Sequence, residues 1–146
     1  MAGLKERTLC IIKPDAVAKK AIGGIVAMLE KEGFDILGLR MIRLTMDDAM
    51  AFYVVHKERP FYGPLAQFMA SGPIVAMALE KEGAIAGLRR LMGATDSRKA
   101  EGGTIRAKFG TDIERNAVHG SDSPESARFE IPFFFSQGDL KPKEGA

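Results

Sequence analysis

The sequence predicts an α+β fold, a ferredoxin-like α/β sandwich: a four-stranded antiparallel sheet with helices packed around it, on one face in its simplest form. Three observations carry this expectation. Short apolar runs of strand length alternate with segments of helical period. Their succession reads β-α-β-(αα)-β-α-β-α. The chain has 146 residues, 46% of them hydrophobic and 27% charged, which suits one globular domain over 1–146 with a sizeable core.

Each element has its own signal. Leu9 to Ile12 reads as a buried strand. Ile22, Ile25, Val26 and Leu29 recur at helical spacing, with Glu30-Lys31-Glu32 facing outward and Gly33 as a stop. Phe34 to Leu44 reads as a long strand whose alternation slips near Leu37 and again near Ile42, which predicts a bulge or strong twist. Thr45-x-x-Asp48 opens a helix carrying Ala49, Phe52 and Tyr53 in the manner of a capping box. Phe61, Leu65, Phe68 and Met69 mark another helix, closed by the turn signal Ser71-Gly72-Pro73. Ile74 to Leu79 is a continuous apolar strand, and Ile85, Leu88 and Met92 form a helix stopped by Gly93. Gly93 to Asn116 lacks clear periodicity, and loops of that length are usually functional or disordered. Ala117-Val118-His119 is a brief strand, and Ser123-Pro124-Glu125 starts the last helix with an N-cap and a proline at its first position. Pro132 within that helix predicts a kink or an end near Ile131. The tail, Lys141 to Ala146, is polar and reads as mobile.

Composition narrows the function classes. A net charge of +2 gives no field suited to nucleic-acid backbones, so nucleic acid is not expected as a partner. No window reaches membrane-spanning length, no apolar leader opens the chain, and the single Cys10 lies within an apolar run as a small buried hydrophobe. A reducing, cytoplasmic setting is the expectation. No glycine-rich phosphate loop, H-E-x-x-H or paired C-x-x-C occurs, so any phosphates must be bound by side chains. Lys13, Arg89 and Arg106 supply positive charge for that, with the Thr95 hydroxyl as a donor.

The most informative stretch is Asn116-Ala117-Val118-His119-Gly120-Ser121-Asp122, which sets one of two histidines between a strand and a turn. It follows Ile12-Lys13-Pro14-Asp15, Tyr53, Arg59-Pro60-Phe61, Ser71-Gly72-Pro73 and Gly103-Thr104-Ile105-Arg106, in that order. This succession resembles the nucleoside diphosphate kinase family over about residues 6–140. The resemblance implies transfer of the terminal phosphate of a nucleoside triphosphate to a nucleoside diphosphate, through a phosphohistidine on His119. It implies Glu130 and Ser121 as the groups orienting His119, with Lys13 and Tyr53 beside the transferring phosphate. It further implies Arg89, Thr95 and Arg106 on the inner phosphates, Lys13 and Asn116 on the ribose, and Phe61 and Ile113 on either side of the base. Mg²⁺ is implied as cofactor, held mainly by nucleotide phosphates and water, with no protein ligand assigned. Homo-oligomers are implied as well. The Phe133-Phe134-Phe135 run and the short C-terminus favour a tetramer over a hexamer.

The chain departs from the family's pattern where Thr95-Asp96-Ser97 replaces a T-N-P step and Glu101-Gly102-Gly103 lacks a proline. Both changes leave the unfolded loop more freedom to lose on folding. Asp15 reads as a cap for the turn after Pro14, Asp122 as a cap for the last helix or a support for Arg106, and His56 as a surface histidine. The rival reading is a nonenzymatic nucleotide- or nucleic-acid-binding module on the same sandwich.

Overall fold

The computed structural model describes residues 4–140. The tail at 141–146 lies outside the described residues. Four strands, β1 (Lys5–Ile12), β2 (Asp35–Ile42), β3 (Ile74–Glu82) and β4 (Val118–Gly120), form one antiparallel sheet in the order β2-β3-β1-β4. β1 extends four residues upstream of the expected start. Its first half is charged rather than apolar, and it pairs along the ladder with Lys5 opposite Glu82, Glu6 opposite Lys81 and Arg7 opposite Glu80; Arg7 and Glu80 form an ion pair at 3.0 Å, while the Glu6 carboxylate accepts from Ile85 N–H. Apolar patterning cannot see such a strand half.

β2 is shorter than expected. Phe34 belongs to the turn that ends the preceding helix, its N–H donating to Leu29 O. The bulge predicted near Leu37 is present, between Ile36 and Gly38, whereas the slip near Ile42 coincides with the end of the strand.

The helices are α1 (Pro14–Ala18), α2 (Ile22–Lys31), α3 (Met46–Phe52), α4 (Tyr62–Met69), α5 (Ala84–Met92), α6 (Ile105–Phe109) and α7 (Pro124–Phe134). The capping box at Thr45 is formed: Asp48 N–H donates to Thr45 Oγ1, and Thr45 N–H donates to Asp48. Ser123 caps α7, with Pro124 at its first position. Helices cover both faces of the sheet, which corrects the one-face form. Alternating residues of each strand divide between two cores. Leu9, Ile11, Ala76 and Ala78 pack with Phe52, Tyr53, Met69 and Ile131. Cys10, Ile12, Val75 and Met77 pack with Ile25, Leu29, Leu88 and Ile105.

Two expectations about α7 and the loop before it need correction. α7 does not stop near Ile131; it runs through Pro132 to Phe134. The missing proline N–H deprives Arg128 of its intrahelical donor, on a face where both residues are exposed and water can reach the carbonyl. Phe135 N–H closes the last turn onto Ile131 O. The segment Gly93 to Asn116 is not structureless. It holds a 3-10 turn at Ser97–Lys99 and α6, capped by Thr104. Asp96, standing where the family has asparagine, stiffens it: its carboxylate accepts from Arg98 N–H and pairs with the Arg98 guanidinium through two contacts of 3.0 Å. No described helix is long and apolar enough to cross a membrane.

Candidate active site

His119 is the middle residue of β4, opposite Ile11. The period-2 alternation of the strand therefore turns Val118 and Gly120 into the α2/α5 core and the His119 ring towards α3, α4 and α7. The glycine after it has a packing reason. A Cβ at Gly120 would lie 2.8 Å from Met92 Cε and 2.9 Å from Leu88 Cδ2, so the ends of these α5 side chains would have to shift to admit it.

α7 brings Glu130 back over this edge. His119 Nε2 lies 2.9 Å from Glu130 Oε1, and the same oxygen accepts from Ser121 Oγ at 2.8 Å. The Ser121 hydroxyl bonds the carboxylate rather than the imidazole. It is fully buried and tied to β1, accepting from Leu9 N–H, so it braces the carboxylate. A carboxylate facing Nε2 favours the tautomer with the proton there, which leaves Nδ1 as the ring nitrogen with an available lone pair. Phe52 and Tyr53 meet the ring edge-on, with centroids 5.5 Å and 5.8 Å away. Burial, and secondarily the Glu130 charge, push the Tyr53 hydroxyl well above its ordinary range, so it stays protonated and can donate.

The cleft before His119 has two connected chambers. One, of about 290 Å³, is lined by His119, Glu130, Tyr53, Arg89, Arg106 and Asp122 among others. The second, of about 430 Å³, is lined by Phe61, Ile113, Pro64 and Glu114. Lys13, Leu65, Thr95 and Asn116 line both. A larger cavity of about 650 Å³, beside Arg7, Ala127, Phe135 and Leu140, has no nucleophile set against a base.

Every residue that the resemblance implies for the site thus lines this cleft, apart from Ser121, which lies behind it. Their attachments differ from simple surface charges. Lys13 Nζ donates to Glu114 O and to Asn116 Oδ1, both at 2.8 Å. Burial draws its pKa down to about 8, with Asp15 pulling the other way. Asn116 donates through Nδ2 to Thr95 O and Ile113 O, which ties the loop to the strand. Arg106 is 8% exposed and donates to three carbonyls, those of Asn116, Gly93 and Val118. Those bonds use three of its five N–H groups. Burial and then the Arg89 cation draw it down to about 10, so it remains charged near neutral pH. Phe61 and Ile113 are 48% and 60% exposed, unlike core hydrophobes.

Three subsidiary readings change. His56 is not a mere surface residue: it lines the His119 chamber, its ring stacked 6.4 Å from Tyr53 and tilted against Phe61 at 5.2 Å. The signal available was its spacing, since Tyr53-x-x-His56 in a helical turn puts both rings on one side. Asp122 does not provide the helix cap, which is Ser123; it accepts from Ser126 Oγ at 2.6 Å, and that bond first, with Arg89 among the other contributors, lowers its pKa. Asp15 does not cap the turn after Pro14; its Oδ2 accepts from Ala117 N–H at 3.0 Å.

Comparison with known proteins agrees with this geometry. The family model described as nucleoside diphosphate kinase matches residues 6–140. The chain is similar to the nucleoside diphosphate kinase of Geobacter sp. (strain M21), with 58% identity over 92% of this chain and 98% of that one. It is likewise similar to that of Persephonella marina, with 54% identity over 92% of this chain and 96% of that one. Among solved structures, the Aquifex aeolicus nucleoside diphosphate kinase superposes with a TM-score of 0.92 and 51% identity, covering 94% of this chain and 99% of that one. The Halobacterium salinarum nucleoside diphosphate kinase, solved in complex with CDP, gives a TM-score of 0.92 and 38% identity, covering 97% of this chain and 95% of that one. A matched family model over nearly the whole chain, relatives above half identity and a shared fold leave one assignment: this chain belongs to the nucleoside diphosphate kinase family.

Proposed function

We propose that His119 carries the phosphohistidine through which nucleoside diphosphate kinase activity works. The observation that carries the reading is the His119 Nε2–Glu130 Oε1 pair at 2.9 Å, set in a cleft whose walls hold Lys13, Arg89 and Arg106. The Nδ1 lone pair attacks the terminal phosphorus of a nucleoside triphosphate. The bond from that phosphorus to the bridging oxygen breaks, and the nucleoside diphosphate leaves with the electron pair. In the second half, a terminal oxygen of another diphosphate attacks the phosphohistidine, and the N–P bond breaks to restore the imidazole. Glu130 opposes the positive charge that grows on the ring during attack.

Lys13 and the Tyr53 hydroxyl attend the moving phosphate. Arg89, the remaining N–H groups of Arg106 and the Thr95 hydroxyl hold the inner phosphates. Lys13 and the second lone pair of Asn116 Oδ1 meet the ribose hydroxyls, and Phe61 and Ile113 take the base between them. The donors on these walls suit phosphate rather than a metal; Glu130 and Asp122 are the carboxylates of the His119 chamber, and Glu114 that of the second. Mg²⁺ therefore fits as an ion carried in by the nucleotide, where it neutralises phosphate charge.

We further propose that the chain works as one domain, a reading supported by two cores built on the same four strands. Self-association is supported by the edge strand β2, where Leu39 and Met41 are 50% and 56% exposed. Phe134 and Phe135 are buried in the chain's own core, so they lend no support to an interface or to the tetramer, which stands as the assembly to test by sedimentation. The buried, free thiol of Cys10 is in keeping with a cytoplasmic setting.

The test is incubation with labelled triphosphate and Mg²⁺, then peptide mapping of acid-labile, alkali-stable label. Label should map to His119, His119→Gln should remove labelling and turnover, and double-reciprocal plots should be parallel. Intersecting lines with no trapped phosphoenzyme would overturn the mechanism.

A further inference from the structure

The residue before Val118 and His119 has a backbone that its side chain disfavours. Ala117 has φ +74 and is fully buried, and Val118 N–H donates to Asn116 O, two residues back, at 2.9 Å. That is a γ-turn of the positive-φ kind, rare and strained for any residue bearing a Cβ. Such conformations persist only where the surroundings over-determine them, and they cluster at functional sites. Here the surroundings are on view. Lys13 N–H donates to Ala117 O at 2.8 Å, and Arg106 donates to the carbonyls on either side, those of Asn116 and Val118. Ala117 N–H donates to Asp15 Oδ2.

Asp15 stands out among these. The residue is 9% exposed, its Oδ1 is buried with no hydrogen-bond partner among the described residues, and it serves no helix cap. Burying a carboxylate with one bond is expensive for the fold. The one group it holds is the N–H at the centre of the strained turn, two residues before the histidine.

We propose that Asp15 is a positioning residue for phosphoryl transfer: its carboxylate fixes the positive-φ turn at Ala117 and so sets where His119 stands against Glu130. This rests on the reading of His119 as the nucleophile. Without the carboxylate the turn relaxes towards negative φ, β4 shifts at its first residue, and the imidazole leaves its line of attack. A displacement on the order of 1 Å suffices for large rate losses. Arg106 and Lys13 also serve phosphate binding, whereas the one hydrogen bond of the Asp15 carboxylate goes to the backbone of this turn; its charge also favours the Lys13 ammonium, and the Asn and Gly variants separate the two effects.

The experiment measures single-turnover formation of phosphohistidine from labelled ATP and Mg²⁺ by rapid quench over a range of ATP concentrations. Melting temperature is measured on the same full-length samples. Asp15→Ala should lower the limiting rate about tenfold or more, with a smaller change in ATP affinity. Asp15→Asn keeps an oxygen for Ala117 N–H and should stay within about threefold of wild type. Ala117→Gly admits the positive φ without strain, so Asp15→Ala/Ala117→Gly should recover most of the rate.

An Asn variant as slow as Ala, with no recovery by glycine, would mean that Asp15 acts through its charge on Lys13, and the proposal fails. A normal rate in Asp15→Ala with only a lowered melting temperature would make Asp15 a stability residue, which overturns it equally. If Asp15→Ala alone does not fold, the glycine pairing must still yield folded, phosphorylating protein, and its failure there counts against the proposal. Wild-type protein that takes no label at His119 would instead overturn the reading of the nucleophile.

Discussion

Replacing Glu130 by glutamine isolates a charge. One oxygen, Oε1, already serves both His119 Nε2 and Ser121 Oγ, so the amide oxygen of Gln can keep both contacts. What disappears is the negative charge facing an imidazole that, on the proposed reading of His119 as nucleophile, becomes cationic as the phosphate arrives. The His119 and Glu130 side chains are 20% and 13% exposed, between surface and interior. Two unit charges about 4 Å apart interact by about 1 kcal/mol in water and about 4 kcal/mol at an effective dielectric of about 20. An intermediate value of about 2–3 kcal/mol converts to a slowing of about 30- to 150-fold. Single-turnover phosphorylation by rapid quench measures that step, and calorimetry with ADP measures binding without reaction. The rate should fall by this factor while ADP affinity changes by less than about threefold. A variant within threefold of wild type, or a loss carried wholly by ADP affinity, would refute the assignment of Glu130 to the developing charge. Turning the amide nitrogen towards Nε2 would place the ring proton on Nδ1 and produce a larger loss, visible as a changed imidazole tautomer by nitrogen NMR.

Three other outcomes follow from the same geometry. Phe61→Ala should weaken nucleotide binding by about 5- to 150-fold, from ~1–3 kcal/mol of stacking, by similar factors for adenine and guanine. Because Phe61 is 48% exposed, the melting temperature should hardly move, and a strongly base-selective loss or a collapse of stability would remove it as the stacking platform. Lys13 has a folded pKa lowered to about 8 by burial, so kcat/KM should fall as pH rises through that value and its ammonium is lost. Stability should move the other way. The unfolded chain keeps the ordinary value of 10.5 and binds more protons between the two, so burying Lys13 becomes less costly as pH rises across that window. Chemical denaturation of wild type and Lys13→Met checks the sign. The advantage of the Met variant should shrink from pH 8 towards 10.5, and a constant difference would show that Lys13 is not desolvated in the folded chain.

The sequence alone determined the elements whose signals are local. Helical spacing in Ile22 to Leu29, the capping pair Thr45 and Asp48, and Ser123-Pro124 each appear in the structure where the pattern placed them, because a cap or an apolar stripe is written within one turn of chain. The cleft residues were legible as well, carried by motifs rather than by any derivation of their convergence. Tertiary structure decided what depends on partners far along the chain. Lys5, Glu6 and Arg7 are strand because Glu82, Lys81 and Glu80 lie opposite. Pro132 is tolerated because it falls in the last turn, on an exposed face. Arg106 looks like a free cation in Gly103-Thr104-Ile105-Arg106, yet most of its donors hold backbone carbonyls at Gly93, Asn116 and Val118. Asp15 meets Ala117 across 102 residues of sequence. No local period or propensity encodes that contact, because it exists only once β1 and β4 lie side by side. The strained turn it supports is a conformation that alanine's own preferences oppose.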